Sequence, residues 1–249
     1  MKSLPFFACA VVLLTVGSGH AAAAEAAAKT HHASKAHDWT RVVEATPDGG
    51  FVMGNPDAKV KLIEYGSLTC PHCREFDEVA VPHLINDYVK TGQVSWEFRN
   101  YVRDAVDLTA ALIARCNGAK SFFPLTRALF KDQKSWIAKV QAAPKDQLEK
   151  ASDLPPDQRF VELAKLTGFS QWAAAHGEPT TKSAQCLGNE QAVDALVKQT
   201  GDVTNRYPDF IGTPSFIIDG TMVDFGPITA DQVWPTLESK LKDALAGHG

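Results

Sequence analysis

Two cysteines separated by two residues, Cys70-Pro71-His72-Cys73, stand where a strand pattern gives way to a helix pattern. Val60, Leu62, Ile63 and Tyr65 make an apolar strand over residues 59–65, and the chain then turns at Gly66 and Ser67. Beyond the pair, Phe76, Val79, Ala80, Leu84 and Tyr88 recur at helical spacing, with Pro82 inside the run to kink it. A cysteine at that junction opens a helix, so the sulfur of Cys70 meets unpaired backbone N–H groups and the thiolate is favoured. His72 adds a second cationic or hydrogen-bonding influence, and Pro71 fixes a tight first turn. Cys73, inside that turn, is near enough to displace a partner from Cys70 in a mixed disulfide, which suits a resolving thiol. Two other readings stand beside this one: half of a zinc site, or an inert structural disulfide. Zinc needs two more ligands, and Cys116 and Cys186 are isolated residues rather than a second paired motif.

A second strand follows the helix, with Val94, Trp96 and Phe98 alternating against Ser95, Glu97 and Arg99, which predicts one buried and one outward face. Phe51 to Met53 makes a short preceding strand. From residue 102 to 207 the signal is entirely helical, broken by Gly118, Pro124, Pro144, the Pro155-Pro156 pair, Gly168, Gly177 and Pro179. Strand character returns at Pro214 to Ile218, Asp219-Gly220 supplies a two-residue turn, and Thr221 to Phe225 is the expected returning strand. Thr229 and Gln232 form a capping box for a last helix with a buried stripe of Val233, Leu237, Leu241 and Leu245. The fold class is therefore α/β. Residues 46–101 and 208–249 are the two parts of the sheet domain, and residues 102–207 are a helical domain inserted between the second and third main strands.

Composition narrows the function. Lys plus Arg total 25 against 29 Asp plus Glu, a formal charge of −4, which leaves no basic excess for nucleic-acid phosphates. Residues 1–24 run from Lys2 through the apolar stretch Leu4 to Val16 into small residues, the pattern of a secretory signal peptide and too short for a membrane span. Export to the periplasm is the expectation, and Cys9 leaves with the signal. Residues 25–45 are predicted to be a mobile or loosely helical tail, whose His31, His32 and His37 are read as solvated rather than as metal ligands. In an oxidising compartment Cys116 and Cys186, the mature cysteines outside the pair, are expected to form a second disulfide. Cys116 is expected to be buried on the stripe of Leu108 and Leu112.

Gly212-Thr213-Pro214-Ser215-Phe216 places a proline at the opening of the third main strand, which by itself also fits a trans proline in an ordinary turn. The Cys-Pro-His-Cys motif, Glu64 six residues before Cys70, the helical insertion after the second strand, and Thr213-Pro214 ahead of a terminal hairpin and helix together resemble the DsbA family of thiol:disulfide oxidoreductases. That resemblance implies a thioredoxin fold, a cis peptide bond between Thr213 and Pro214 facing the site, and an extended substrate segment docking beside it. It also implies Cys70 as nucleophile, Cys73 as resolving thiol, His72 as the residue that tunes the thiolate, and Glu64 as a buried carboxylate assisting proton movement. Residue type alone favours an outward, solvated Glu in a strand, and only the offset of Glu64 from Cys70 argues for burial.

The implied activity is dithiol oxidation of reduced exported polypeptides by a monomer with no cofactor or metal, reoxidised by a DsbB-type membrane protein. Thr213 departs from the valine typical of the strongest dithiol oxidases in the family and resembles disulfide isomerases. Those isomerases dimerise through an N-terminal domain, for which the ~20 residues between the signal and Ala45 are too few. An isomerase or thiol reductase using the same cysteines is the nearest alternative. A metal carrier using Cys70, His72 and Cys73, or a peptide-binding module, comes from a different class.

Overall fold

The structure is a computed structural model and describes residues 37–248. The predicted signal peptide and the histidines His31 and His32 lie outside the described residues. Ala36–Gly249 forms one compact unit. Among the described residues six strands build the sheet: β1 (Val43–Ala45), β2 (Phe51–Met53), β3 (Val60–Gly66), β4 (Val94–Asn100), β5 (Ser215–Ile218) and β6 (Thr221–Met222), in the spatial order β1-β2-β4-β3-β5-β6. Only β3 and β4 run parallel, because the helical crossover between them returns the chain to the same end of the sheet; the other pairs are antiparallel.

That crossover begins with α1 (Pro71–Val79) and α2 (Val81–His83). Pro82 has no N–H to continue the ladder, and the helix breaks at Ala80. Past α2 the turns widen over Leu84–Val89, where Lys90 N donates to Ile85 O at 2.8 Å across five residues. Between β4 and β5 lie α3 (Ala105–Arg115), α4 (Ala119–Lys131), α5 (Gln133–Ala142), α6 (Lys145–Ser152), α7 (Pro156–Leu166), α8 (Phe169–Ala175), α9 (Thr180–Leu187) and α10 (Glu190–Arg206). These helices share the core of the sheet rather than owning one. Trp96 and Phe98 of β4 pack against Phe122, Phe123 and Phe130 of α4 in one apolar cluster. Each such ring, fully buried, contributes on the order of 1.5–3 kcal/mol. The final helix, α11 (Val233–Gly247), follows a turn closed by the expected Thr229–Gln232 capping box; it buries Leu237 and Leu241 and half-buries Val233 and Leu245. Among the described residues no helix is long and apolar enough to cross a membrane.

The structure corrects four local expectations. The predicted tail does not extend to residue 45: Trp39–Arg41 forms a helical turn and β1 pairs with β2 in the register Val43↔Met53. Trp39 anchors it by packing on Gly92, where a side chain would meet the indole at 2.7 Å. His37, the described histidine of that segment, stacks edge-on against Trp39. Second, all seven residues of β4 are buried, including the supposed outward face. Being an inner strand, β4 covers its polar residues with an ion-pair cluster: Arg99 Nε donates to Glu97 Oε1 at 2.7 Å, and its Nη2 reaches Asp48 at 2.9 Å. Third, β6 stops at Met222, because after Val223 the chain turns away through Asp224, whose Oδ1 accepts from Gly226 N. Fourth, Cys116 is only half-buried, since it caps the end of α3 rather than extending its apolar stripe.

Cys116 and Cys186 are bonded, as expected, and tie the end of α3 to α9 across 70 residues. On the chain-entropy account, closing a loop of that size is worth about 4 kcal/mol. A variant with both residues changed to alanine is expected to lose a few kcal/mol in denaturant unfolding, with its active-site pair still reactive. Unchanged stability would contradict that role.

Candidate active site

The loop between β3 and α1 is held from outside the sheet. Asp107 of α3, itself 1% exposed, accepts from Ser67 Oγ at 2.6 Å, Leu68 N at 2.9 Å and Arg103 N at 3.1 Å. Burial pushes this carboxyl up to about 6 against those hydrogen bonds. Gln133, at the start of α5, donates through Nε2 to Leu68 O at 2.7 Å and Cys70 O at 2.9 Å. Sequence reading missed both. An acid in the first turn of α3 and a glutamine at a helix start look like ordinary surface choices, and only the packed insertion reveals them as clamps.

Cys70 then sits at the N-cap of α1 in extended backbone conformation, with Pro71 as the first helical residue. The peptide bond between Thr213 and Pro214 is cis. β5 pairs with β3 in the register Tyr65↔Ser215, which brings Pro214 beside the end of β3. Cys70 Sγ lies 3.2 Å from Thr213 O, a contact spanning 143 residues. Pro71, Cys70, Thr213 and Pro214 therefore lie together.

The two thiols, both unbonded, differ sharply. Cys70 is lowered to about 5, chiefly by a hydrogen bond from Cys73, with smaller contributions from Thr213 and from the backbone N–H groups of Cys73 and His72; burial opposes the shift. Cys73 has no exposed surface. Burial first, and the neighbouring Cys70 second, push its thiol well above the ordinary range. Ser67 N lies 3.5 Å from its sulfur. His72 contributes through its backbone; its imidazole, with 68% of the side chain exposed, turns to Glu75 at 3.3 Å.

Glu64 is buried rather than solvated. Trp96 Nε1, from the neighbouring strand β4, donates to its Oε2 at 3.0 Å. Burial raises its carboxyl well above the usual range, and the charge of Asp77 adds to the rise. Beside the thiols a cleft of about 590 Å³ is lined by Phe76, Val79, Ile211, Pro214, Phe225 and Trp234. Ile211 there is 98% exposed, so the cleft presents apolar surface to solvent next to the reactive sulfur. Among the described residues no group of three or more His, Cys, Asp or Glu is arranged to hold a metal ion.

A thiolate at a helix start, with a buried second thiol one turn away and the carbonyl before a cis proline in contact with the first sulfur, is an arrangement suited to thiol–disulfide exchange. Residues 46–239 match the family model described as Thioredoxin. The chain belongs to this family. A protein-disulfide isomerase from Novosphingobium aromaticivorans is similar, with a TM-score of 0.71 and 31% identity over 80% of this chain and 99% of that one. The Wolbachia pipientis protein alpha-DsbA1 shares the fold, with a TM-score of 0.61 at 22% identity over 82% of this chain and 94% of that one. A Rickettsia felis protein provisionally named a protein-disulfide oxidoreductase is 28% identical over 82% of this chain and 64% of its own length. The chain spans 60 to 64% of the length of the Rickettsia relatives it matches. These likenesses bear out the expected thioredoxin fold with its helical insertion.

The pair's asymmetry is directly measurable. Alkylation of Cys70 in the reduced form is expected to titrate with a midpoint near pH 5, against ~8.5 for an ordinary thiol, while Cys73 stays unreactive until the chain unfolds. A midpoint above pH 7, or equal reactivity of the two sulfurs, would contradict the geometry.

Proposed function

We propose that this protein is an exported, DsbA-like dithiol oxidase that introduces disulfides into reduced polypeptides. A substrate thiolate attacks Cys70 Sγ in the oxidised pair, the Cys70–Cys73 bond breaks, and Cys73 departs with the electron pair and takes up a proton. A second substrate thiolate then attacks the substrate sulfur of the mixed disulfide. Cys70 leaves as a thiolate, the substrate carries the new disulfide, and the protein holds the two electrons. The placement of Cys70 at the N-cap of α1, beside the buried Cys73, is the observation that carries this reading, because it holds the Cys70 thiol low and makes its sulfur a good leaving group in the final step.

Supporting observations point the same way. The cis Thr213–Pro214 bond and the apolar cleft offer an extended polypeptide a place to lie beside Cys70. Export to the periplasm rests on the signal-like N-terminal sequence and agrees with the Cys116–Cys186 bond, since structural disulfides persist in oxidising compartments. The chain is read as a monomer, with a DsbB-type membrane protein as its reoxidant. Thr213 and the name of the Novosphingobium relative favour a second reading, a disulfide isomerase working through the same sulfurs.

A refolding assay separates the two. Rapid oxidation of a fully reduced substrate with little rescue of a scrambled one is expected; efficient rescue of the scrambled substrate alone would make the protein an isomerase. Cys70→Ala is expected to abolish exchange, whereas Cys73→Ala is expected to accumulate mixed disulfides with disulfide-bearing substrates. Equal loss without a trapped species in either variant would overturn the assigned roles.

A further inference from the structure

Exchange at these sulfurs needs a proton at Cys73, a thiol with no exposed surface. Resting on the dithiol reading above, we propose that Asp77 is the outer member of a two-carboxyl relay, Glu64 and Asp77, that moves protons between Cys73 and a surface cavity flanking α1.

The residues are placed for it. Asp77 follows Cys73 by four positions, so the two side chains share one face of α1 a single turn apart. Next to Asp77, Phe76 lays its ring on Phe216 at 4.6 Å between centroids. Phe216 is the register partner of Glu64 on the adjacent strand, so both side chains project from the same face of the sheet, toward α1. Glu64 thus lies beneath the turn that carries Cys73 and Asp77. Its charge acts on Cys73, and the charge of Asp77 acts on Glu64, which ties the three groups into one electrostatic set.

The outer end opens where Asp77 lines a cavity of about 480 Å³ with Arg74 and Glu78 of α1 and Arg127 and Lys131 of α4. Asp77 is 7% exposed, and its Oδ1 lies 3.4 Å from Arg127 Nε. The groups facing it are Cys73, Arg74 and Glu78 on its own helix, Glu64 from β3, and Arg127 with Lys131 from α4. Burial raises its carboxyl to about 6, Arg127 opposes the rise and Glu78 adds to it. An acid poised there trades protons readily near neutral pH, whereas Glu64, fully buried and raised by burial and by the charge of Asp77, is the inner member and the immediate donor. When a substrate thiolate opens the active-site disulfide, Cys73 leaves with the electron pair and takes the proton of Glu64. Asp77 restores Glu64, and solvent restores Asp77. One proton enters for each disulfide opened; reversal of the step expels it.

A bland alternative makes Asp77 only the ion-pair partner of Arg127. The test is single-turnover reduction of the oxidised full chain by dithiothreitol from pH 4.5 to 9, with each rate divided by the reagent's thiolate concentration. Wild type is expected to show an inflection near pH 6. Asp77→Asn is expected to lose that inflection and to be slower at neutral pH by about tenfold or more, with Asp77→Glu restoring both. Arg127→Gln, which removes the opposing cation, is expected to move the inflection upward. An Asp77→Asn profile superimposable on wild type, an Asp77→Glu variant as slow as Asp77→Asn, or an unmoved inflection in Arg127→Gln would overturn the relay. Wild type that fails to react with the dithiol at any pH would overturn the dithiol reading itself, and the relay with it.

Discussion

The first turn of α1 gives its unpaired backbone N–H groups and the Cys73 thiol to one sulfur, that of Cys70. Everything else at the site arranges or exploits that gift of hydrogen bonds. Cys73 loses what Cys70 gains: it is buried beneath the turn, beside a raised carboxyl, and its proton is held tightly. Two identical side chains three positions apart thus become a thiolate and a thiol at neutral pH. The difference comes first from the Cys73 hydrogen bond to Cys70 and from the burial of Cys73, with the backbone N–H groups of the first turn adding to it, while the imidazole of His72 turns away to Glu75.

Holding the turn in place falls to the inserted helices. Asp107 and Gln133 grip the loop at Ser67, Leu68 and Cys70 from α3 and α5, and the aromatic side chains of α4 complete the core under β4. Loss of Gln133 leaves the Leu68 carbonyl without its partner, while Cys70 O keeps the bond from Arg74 N, and a group so stranded costs on the order of 1–3 kcal/mol. The insertion is therefore part of the catalytic scaffold, and the cysteine motif is positioned by residues far from it in sequence.

Local rules made much of this readable. The strand at 59–65, the helix after Cys70, the Asp219-Gly220 turn and the Thr229–Gln232 box all follow from patterns within a few residues, where propensity and pairing agree. What escaped was set by neighbours distant in the chain. Glu97 and Arg99 look outward-facing until β2 and β3 flank their strand and Asp48 and Tyr65 cover their charges. Val43 to Ala45 is too short to show alternation and exists as a strand only because β2 offers a ladder. Asp77, Asp107 and Gln133 carry no local sign of burial. At Glu64 residue type alone favours the outward face, and the structure reverses this: the side chain is buried on the face where Phe76 packs on Phe216.

The central claim is that this fold stabilises the reduced pair. Cys70 has a folded pKa near 5, below its unfolded ~8.5, so the thiolate's contribution is full above the unfolded value and is lost as pH falls through 5. At neutral pH most of it is present, and forming the Cys70–Cys73 bond removes it. Equilibration of the couple with glutathione at pH 7 measures the consequence directly. The account predicts a reduction potential well above the about −270 mV of thioredoxin, toward the about −120 mV of DsbA, which is itself a known case of a stabilised reduced form. A value at or below that of thioredoxin would contradict it.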